Sequence, residues 1–148
     1  MGKWHNVKTR DDIERLMSDY AGFHDSCIVS INFSSGAFID DKRAMCFGKA
    51  ADRVLSVVIQ CQSTPKTIEL NFVGLRQLHL IGWMDNYENL ISGAYLDFHD
   101  KSLFNSPDRV IVWADDGDFD VDRINGTACE PTETYIISDA LKWRFINE

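Results

Sequence analysis

Two histidine–aspartate pairings and one run of aspartates are the residues whose types and spacing could do chemistry in this 148-residue chain. His24 stands beside Asp25, and Asp97 lies two residues before His99. Side chains two apart on an extended backbone point the same way, so Asp97 and His99 share a strand face. His24, Asp25, Asp97 and His99 together form a candidate pocket for a small molecule or for hydrolysis. Zinc needs three or four convergent ligands, and the sequence offers only this one local pair. The run is Asp115, Asp116, Asp118, Asp120 and Asp122. Alternating aspartates resemble the start of a calcium loop, because Ca²⁺ gathers several carboxylate oxygens. A loop starting at Asp116 would need glycine where Val121 stands and a bidentate glutamate where Thr127 stands. The run therefore reads as a solvated acidic loop able to meet a basic partner. No tightly bound metal and no cofactor are expected.

Other catalytic signatures fail on their own terms. Ser63-Thr64-Pro65-Lys66 matches S-x-x-K, but neither S-D-N nor K-T-G follows. Phe47-Gly48-Lys49-Ala50 lacks the upstream glycine and the Ser/Thr of a phosphate loop. Glu69 and Asp97 are the separated carboxylates a glycosidase would use, a pairing any β protein can offer. An enzyme thus has little support in the sequence. Trp83, Met84, Tyr87 and Leu90 lie around the loop-like stretch from Gly82 to Asn89, and Trp and Tyr anchor interfaces. They are candidate contacts, or a cap on one end of the core.

Charge separates along the chain. Residues 1–74 carry nine acidic and nine basic side chains; residues 75–148 carry fourteen and six, which gives the net −8. Nucleic-acid binders neutralise phosphate with Lys and Arg, so this balance argues against them. An acidic surface suits a basic protein partner instead. The first residues hold no apolar stretch of signal-peptide length, and the apolar runs are strand-sized, far below the ~20 residues of a membrane span. Cys27, Cys46, Cys61 and Cys129 show no C-x-x-C spacing. Free thiols and a cytoplasmic location are expected, without a membrane.

The elements that must position these residues are mostly strands. Ile13, Leu16, Met17 and Tyr20 follow helical spacing, with Thr9 as N-cap and Gly22 as the stop. After Gly22 the period is two. Cys27, Val29, Ile31 and Phe33 fall on one side; so do Leu55, Val57, Ile59 and Cys61, and then Ile68, Leu70 and Phe72. Gly74 breaks that run before Leu78 and Leu80 resume it. Further strands fit 94–99, 109–114 and 135–146. No second helix of ordinary length is in view, so parallel crossovers are excluded and antiparallel pairing is expected. The repeat of Phe23-His24-Asp25 as Phe98-His99-Asp100 does not extend beyond the tripeptide. These features predict a single α+β domain over 1–148, mainly β. Its sheet is sandwich-like or strongly curled, with the N-terminal helix packed on it.

Three stretches carry a resemblance: Phe23-His24-Asp25-Ser26-Cys27-Ile28; Ile59-Gln60-Cys61-Gln62 through Ile68-Glu69-Leu70-Asn71-Phe72-Val73-Gly74-Leu75; and Ala140-Leu141-Lys142-Trp143-Arg144. In this order they resemble a family of small, β-rich, functionally uncharacterised bacterial proteins of Gram-positive type. The chain is also similar to β-rich immunity proteins of bacterial toxin systems. The acidic second half, read beside that similarity, points to a non-enzymatic binding protein, an immunity-type inhibitor of a toxin. Charge and aromatic character make Asp115, Asp116, Asp118, Asp120, Asp122, Trp83 and Tyr87 its candidate contacts. The resemblance itself carries over no functional residue.

Overall fold

A computed structural model describes residues 1–81, 89–100, 108–124 and 133–147. The chain runs β1 (His5–Val7), α1 (Arg10–Asp19), β2 (Ser26–Ser34), β3 (Phe38–Ile39), β4 (Met45–Cys46), β5 (Val54–Cys61), β6 (Thr64–His79), β7 (Tyr95–His99), β8 (Val110–Ala114) and β9 (Tyr135–Phe145). A seven-stranded antiparallel sheet has the order β2-β5-β6-β9-β8-β7, and β1 also pairs with β9. The strands β3 and β4 form a separate two-stranded arm. The architecture is α+β and mainly β, as the period-two pattern predicts. An isolated bridge joins Ser26 of β2 to Ile91, which lies outside the strands, and the sheet is not closed.

Helix α1 begins where its sequence says it should. The Thr9 hydroxyl accepts from Asp12 N at 3.2 Å, and the Asp12 carboxylate accepts from Thr9 N at 3.0 Å, a reciprocal capping box. Ile13, Leu16 and Tyr20 face the sheet and are buried. They pack on Leu55, Val57 and Ile59 of β5, Ile68, Leu70 and Phe72 of β6, and Leu141, Trp143 and Phe145 of β9. The Tyr20 hydroxyl lies 3.1 Å from the carbonyls of both Ile59 and Lys66, tying the helix end to the β5–β6 hairpin. Burial pushes the Tyr20 phenol far up, so it stays a donor there.

Strands β6 and β9 are long because they bend. Phe72 and Leu75 on β6, and Leu141 and Ser138 on β9, all turn inward although each pair is three residues apart. Strict alternation would place them on opposite faces. The phase slips at Gly74, which stands across from Asp139. Gly74 has φ +72°, and a Cβ there would lie 2.6 Å from Asp139 Oδ2. The register shifts again between Leu75 and Gln77, leaving Arg76 as the extra residue of a bulge. Arg76 Nε and Nη2 donate to the two Asp139 oxygens at 2.8 and 2.9 Å. Arg53 completes the bend: its carbonyl accepts from Gly74 N and Leu75 N, and its Nε donates to Leu75 O at 3.0 Å. Gly74 N, Leu75 N and Leu75 O thus find a partner at the slip.

Beyond the bend, the sheet is covered on both faces. Val110, Val112, Ala114, Tyr135 and Ile137 turn away from α1 into a second apolar cluster with Phe119 and Val121. That is why all five residues of β8 are buried.

Three details depart from the sequence expectation. Strand β1 precedes the helix, being too short for any period to reveal it. A bulge at Val29 divides β2, so Ile28 enters the core while Cys27 faces away and Val29 is exposed. Ser63-Thr64-Pro65-Lys66 reads from its composition as a turn, yet Thr64, Pro65 and Lys66 lie within β6. The two Phe-His-Asp triplets adopt different structures, since Phe23 and Asp25 have positive φ and Phe98 is in a strand.

Gly74→Ala should destabilise the fold by about 1–3 kcal/mol, because a non-glycine residue at positive φ also meets Asp139. Urea unfolding is the check, with a lower midpoint expected at an unchanged slope.

Candidate acidic interface

The structure brings the aspartate run and the Asp97–His99 pair to one surface. Asp97 and His99 share the outer face of β7, as spacing two requires, and Tyr95 lies on that face with them. The chain returns over this face after β8. Phe119 and Val121 are buried there, and the Phe119 ring packs 5.8 Å from Tyr95 and 5.3 Å from Tyr135. The alternation of Asp118, Phe119, Asp120, Val121 and Asp122 thus has a simple cause. The apolar residues plug the second core, and the aspartates between them point to solvent.

Local hydrogen bonds fix the backbone of this segment. The Asp116 carboxylate accepts from Asp118 N at 2.9 Å. The Asp120 carboxylate accepts from Asp122 N at 3.0 Å and caps the 3-10 turn at Val121–Arg123. Asp116, Asp118, Asp120 and Asp122 are all exposed. Their field reaches β7: Asp120 and Asp97 help raise the Tyr95 phenol, and Asp122 and Asp97 act on His99. Burial dominates both groups. It pushes Tyr95 up to about 12 and holds His99 below its ordinary value. The Tyr95 hydroxyl and His99 Nε2 share a hydrogen bond of 2.6 Å. Arg10 Nη2 reaches round from α1 to Asp97 Oδ1 at 2.7 Å, so that carboxylate is partly neutralised.

Asp115 behaves differently from the other four. It is partly buried, and its carboxylate accepts from Thr134 N at 3.1 Å. Desolvation, with Glu133 and Asp116 nearby, pushes its pKa up to about 6. Through that bond it ties the start of the loop to the segment that leads into β9.

The other candidate residues lie elsewhere. His24 Nδ1 is 2.9 Å from Asp25 Oδ2. Among the described residues no hydrogen bond or ion pair joins this pair to Asp97 or His99. Asp25 instead lines a hollow of about 450 Å³ with Cys27, Gln60, Cys61 and Asn89. The Cys61 thiol there contacts the His24 carbonyl at 3.2 Å and accepts from Ser63 N at 3.3 Å. Cys27, Cys46 and Cys61 are free thiols. Glu69 lies on the outer face with Ser56 at 2.7 Å and Arg144 at 2.8 Å. Trp83, Met84, Tyr87 and Cys129 fall outside the described residues. Among the described residues no group of three or more His, Cys, Asp or Glu side chains is placed to hold a metal ion.

The sequence reading missed Tyr95 as part of this surface. Its signal was present, because Tyr95, Asp97 and His99 continue one alternation. The arrangement creates a strong negative field over a fixed backbone. It can attract and orient a cationic surface. No family model, no curated protein and no solved structure matches this chain.

Asp115 also sets a pH dependence. Its folded pKa, about 6, exceeds the ordinary 3.8, so the folded state binds the proton more tightly. The contribution of this proton to stability is complete below 3.8 and is lost as pH rises through about 6. Asp115→Asn keeps an acceptor for Thr134 N and removes the charge. Thermal melts should show the variant equal to the parent in acid and more stable, by about 1–2 kcal/mol, above that window.

Proposed function

We propose that this chain is a non-enzymatic, cytoplasmic protein-binding domain whose acidic face docks a basic partner, as an immunity-type inhibitor docks a toxin. The observation that carries the reading is the outward display of Asp116, Asp118, Asp120 and Asp122 on a segment anchored by Phe119 and Val121. A partner then meets carboxylates on a fixed backbone, so little ordering entropy is lost on docking. Like-signed charges on one face accelerate encounter with a cationic surface and reject anionic ones, nucleic acid included. The free thiols of Cys27, Cys46 and Cys61 fit a reducing compartment. Among the described residues no helix is long and apolar enough to cross a membrane.

The test is capture from the native host at low salt, followed by affinity measurement with the purified partner. A basic protein should be retained and should elute as salt shortens the Debye length below its physiological ~8 Å. Replacing Asp116, Asp118, Asp120 and Asp122 together by Asn should weaken binding roughly ten- to a hundredfold, mainly through slower association. Recovery of no basic protein, or equal binding by the Asn variant, overturns the reading.

A further inference from the structure

A second hollow, of about 270 Å³, opens where β1 and α1 meet β9. Its walls come from the residues that lead into β1, from one side of α1 and from Trp143. Local pairing builds this corner. His5 stands opposite Trp143 in the antiparallel register of β1 and β9, and their rings stack with centroids 4.5 Å apart. Only Lys8 and Thr9 separate β1 from α1, and the capping box at Thr9 fixes where the helix starts. Trp143 is buried, so it closes the hollow as an apolar floor.

The corner is cationic on a chain whose net charge is −8. Lys3 and Arg15 line it, together with His5 and Asn6. Lys3 is exposed and has no carboxylate partner among the described residues. Arg15 meets Asp19 only at 3.8 Å, with both side chains exposed, a pair too weak to hold it. Asp12 is the one carboxylate in the lining. Its Oδ2 already accepts from Lys8 N at 2.8 Å and Thr9 N at 3.0 Å, which ties its charge to the start of the helix. Trp4, also in the lining, carries Lys142 Nζ at 4.7 Å and Arg144 Cζ at 4.3 Å from its ring centre. Glu69 offsets the charge of Arg144, whereas Lys142 adds to the positive field.

We propose that this corner binds a small phosphate-bearing molecule, free phosphate or a short phosphate monoester, held by Lys3 and Arg15 beside the His5–Trp143 stack. Charge sets the class. Two permanent cations match a phosphate dianion better than a single carboxylate. The Arg15 guanidinium can meet two phosphate oxygens at once, and Lys3 supplies a mobile ammonium. His5 and Asn6 add hydrogen-bonding groups in the same lining. Volume sets the size. Water takes about 30 Å³ per molecule, so the hollow has room for roughly nine. That accommodates a phosphate and a few carbons, and it falls below the range usual for larger organic ligands. Asp12 sets the number of charged groups, because its carboxylate repels a second anion and disfavours a polyphosphate. The acidic face would repel the same ligand, so this inference stands independently of that face and its partner.

Calorimetric titration of the full chain with inorganic phosphate and with glycerol phosphate tests it, with acetate at matched ionic strength as the control. One site should fill with a dissociation constant of about 1 mM, and acetate should give no saturable heat. Tighter binding of inorganic phosphate assigns the site to the free ion, and tighter binding of glycerol phosphate assigns it to an ester. Amides of residues 3–6 and 12–15 should shift in magnetic resonance spectra as either compound is added. Lys3→Gln and Arg15→Gln, both at exposed positions that leave the core untouched, should each weaken binding about tenfold or more. Lys42→Gln, the same loss of charge at an exposed position outside the hollow, should leave binding unchanged. No saturable binding of either phosphate compound up to about 20 mM overturns the proposal. So does equal binding of acetate, or binding that Lys3→Gln and Arg15→Gln both leave intact.

Discussion

The slip of phase at Gly74 and Asp139 is the constraint on which the rest of the structure depends. Before it, β6 pairs with β5 and β9; after it, the β5 side is lost and Arg53 takes over the backbone groups. The other edge of β9 divides at the same level. Residues Leu141–Trp143 pair with β1, and Tyr135–Ser138 pair with β8. A flat continuation would have carried one inner face along the whole length of both strands. The kink instead wraps that face around α1, and it is paid for by a buried-edge ion pair. Arg76 and Asp139 are about a quarter exposed, so their mutual geometry matters more than that of a fully solvated pair. The hydrogen bonds to Asp139 hold Arg76 above its ordinary value.

Because the bend lets both faces be used, the sheet supports two apolar clusters. The first takes the helix; the second takes Phe119 and Val121 from the return segment. Strand β8 lies between them, and its sequence, Val110-Ile111-Val112-Trp113-Ala114, is continuously apolar for that reason. Trp113 faces the helix side, with its ring edge-on to Phe23 at 6.0 Å, while Val112 faces the return segment. The acidic face is therefore a consequence of packing. Aspartates appear there at every second place because the places between them are needed for the core.

Much of this fold is legible in the sequence, and the reasons are local. The i, i+3, i+4, i+7 set from Ile13 to Tyr20, and the alternations from Leu55 to Ile59 and from Ile68 to Phe72, each lie within one element facing one core. The spacing from Phe72 to Leu75 to Leu78 is not legible as a strand, because period two assumes an unbroken pleat. Only the partner strand reveals that Asp139 needs the space a Cβ would occupy at Gly74. The bulge at Val29 misleads in the same way, moving Ile28 inward and Cys27 outward. Site residues follow a similar rule. Asp97 and His99 on one face could be read from spacing alone. Their convergence with Asp120 and Asp122 could not, since it depends on where Phe119 and Val121 dock. The hollow beside Cys61 is assembled from three separate segments, and no local pattern announces it.

The separation of charge along the sequence becomes a separation along the strand order. Asp120 and Asp122 of the second half act on side chains of β7, and the balanced first half forms β2 and the arm at the other end of the order. Repulsion within a chain at −8 is tolerable when the carboxylates are exposed, because water screens them beyond about a Debye length. The same screening would be lost if those carboxylates packed against one another, so they cannot form a contact between like chains. An uncharged edge has nothing to desolvate except backbone. The acidic segment and the uncharged edge thus lie at opposite ends of the strand order. The bend at Gly74 is what allows a single sheet of this size to carry both, because it frees β7 and β8 to take their own covering segment while β2 and β5 keep the helix.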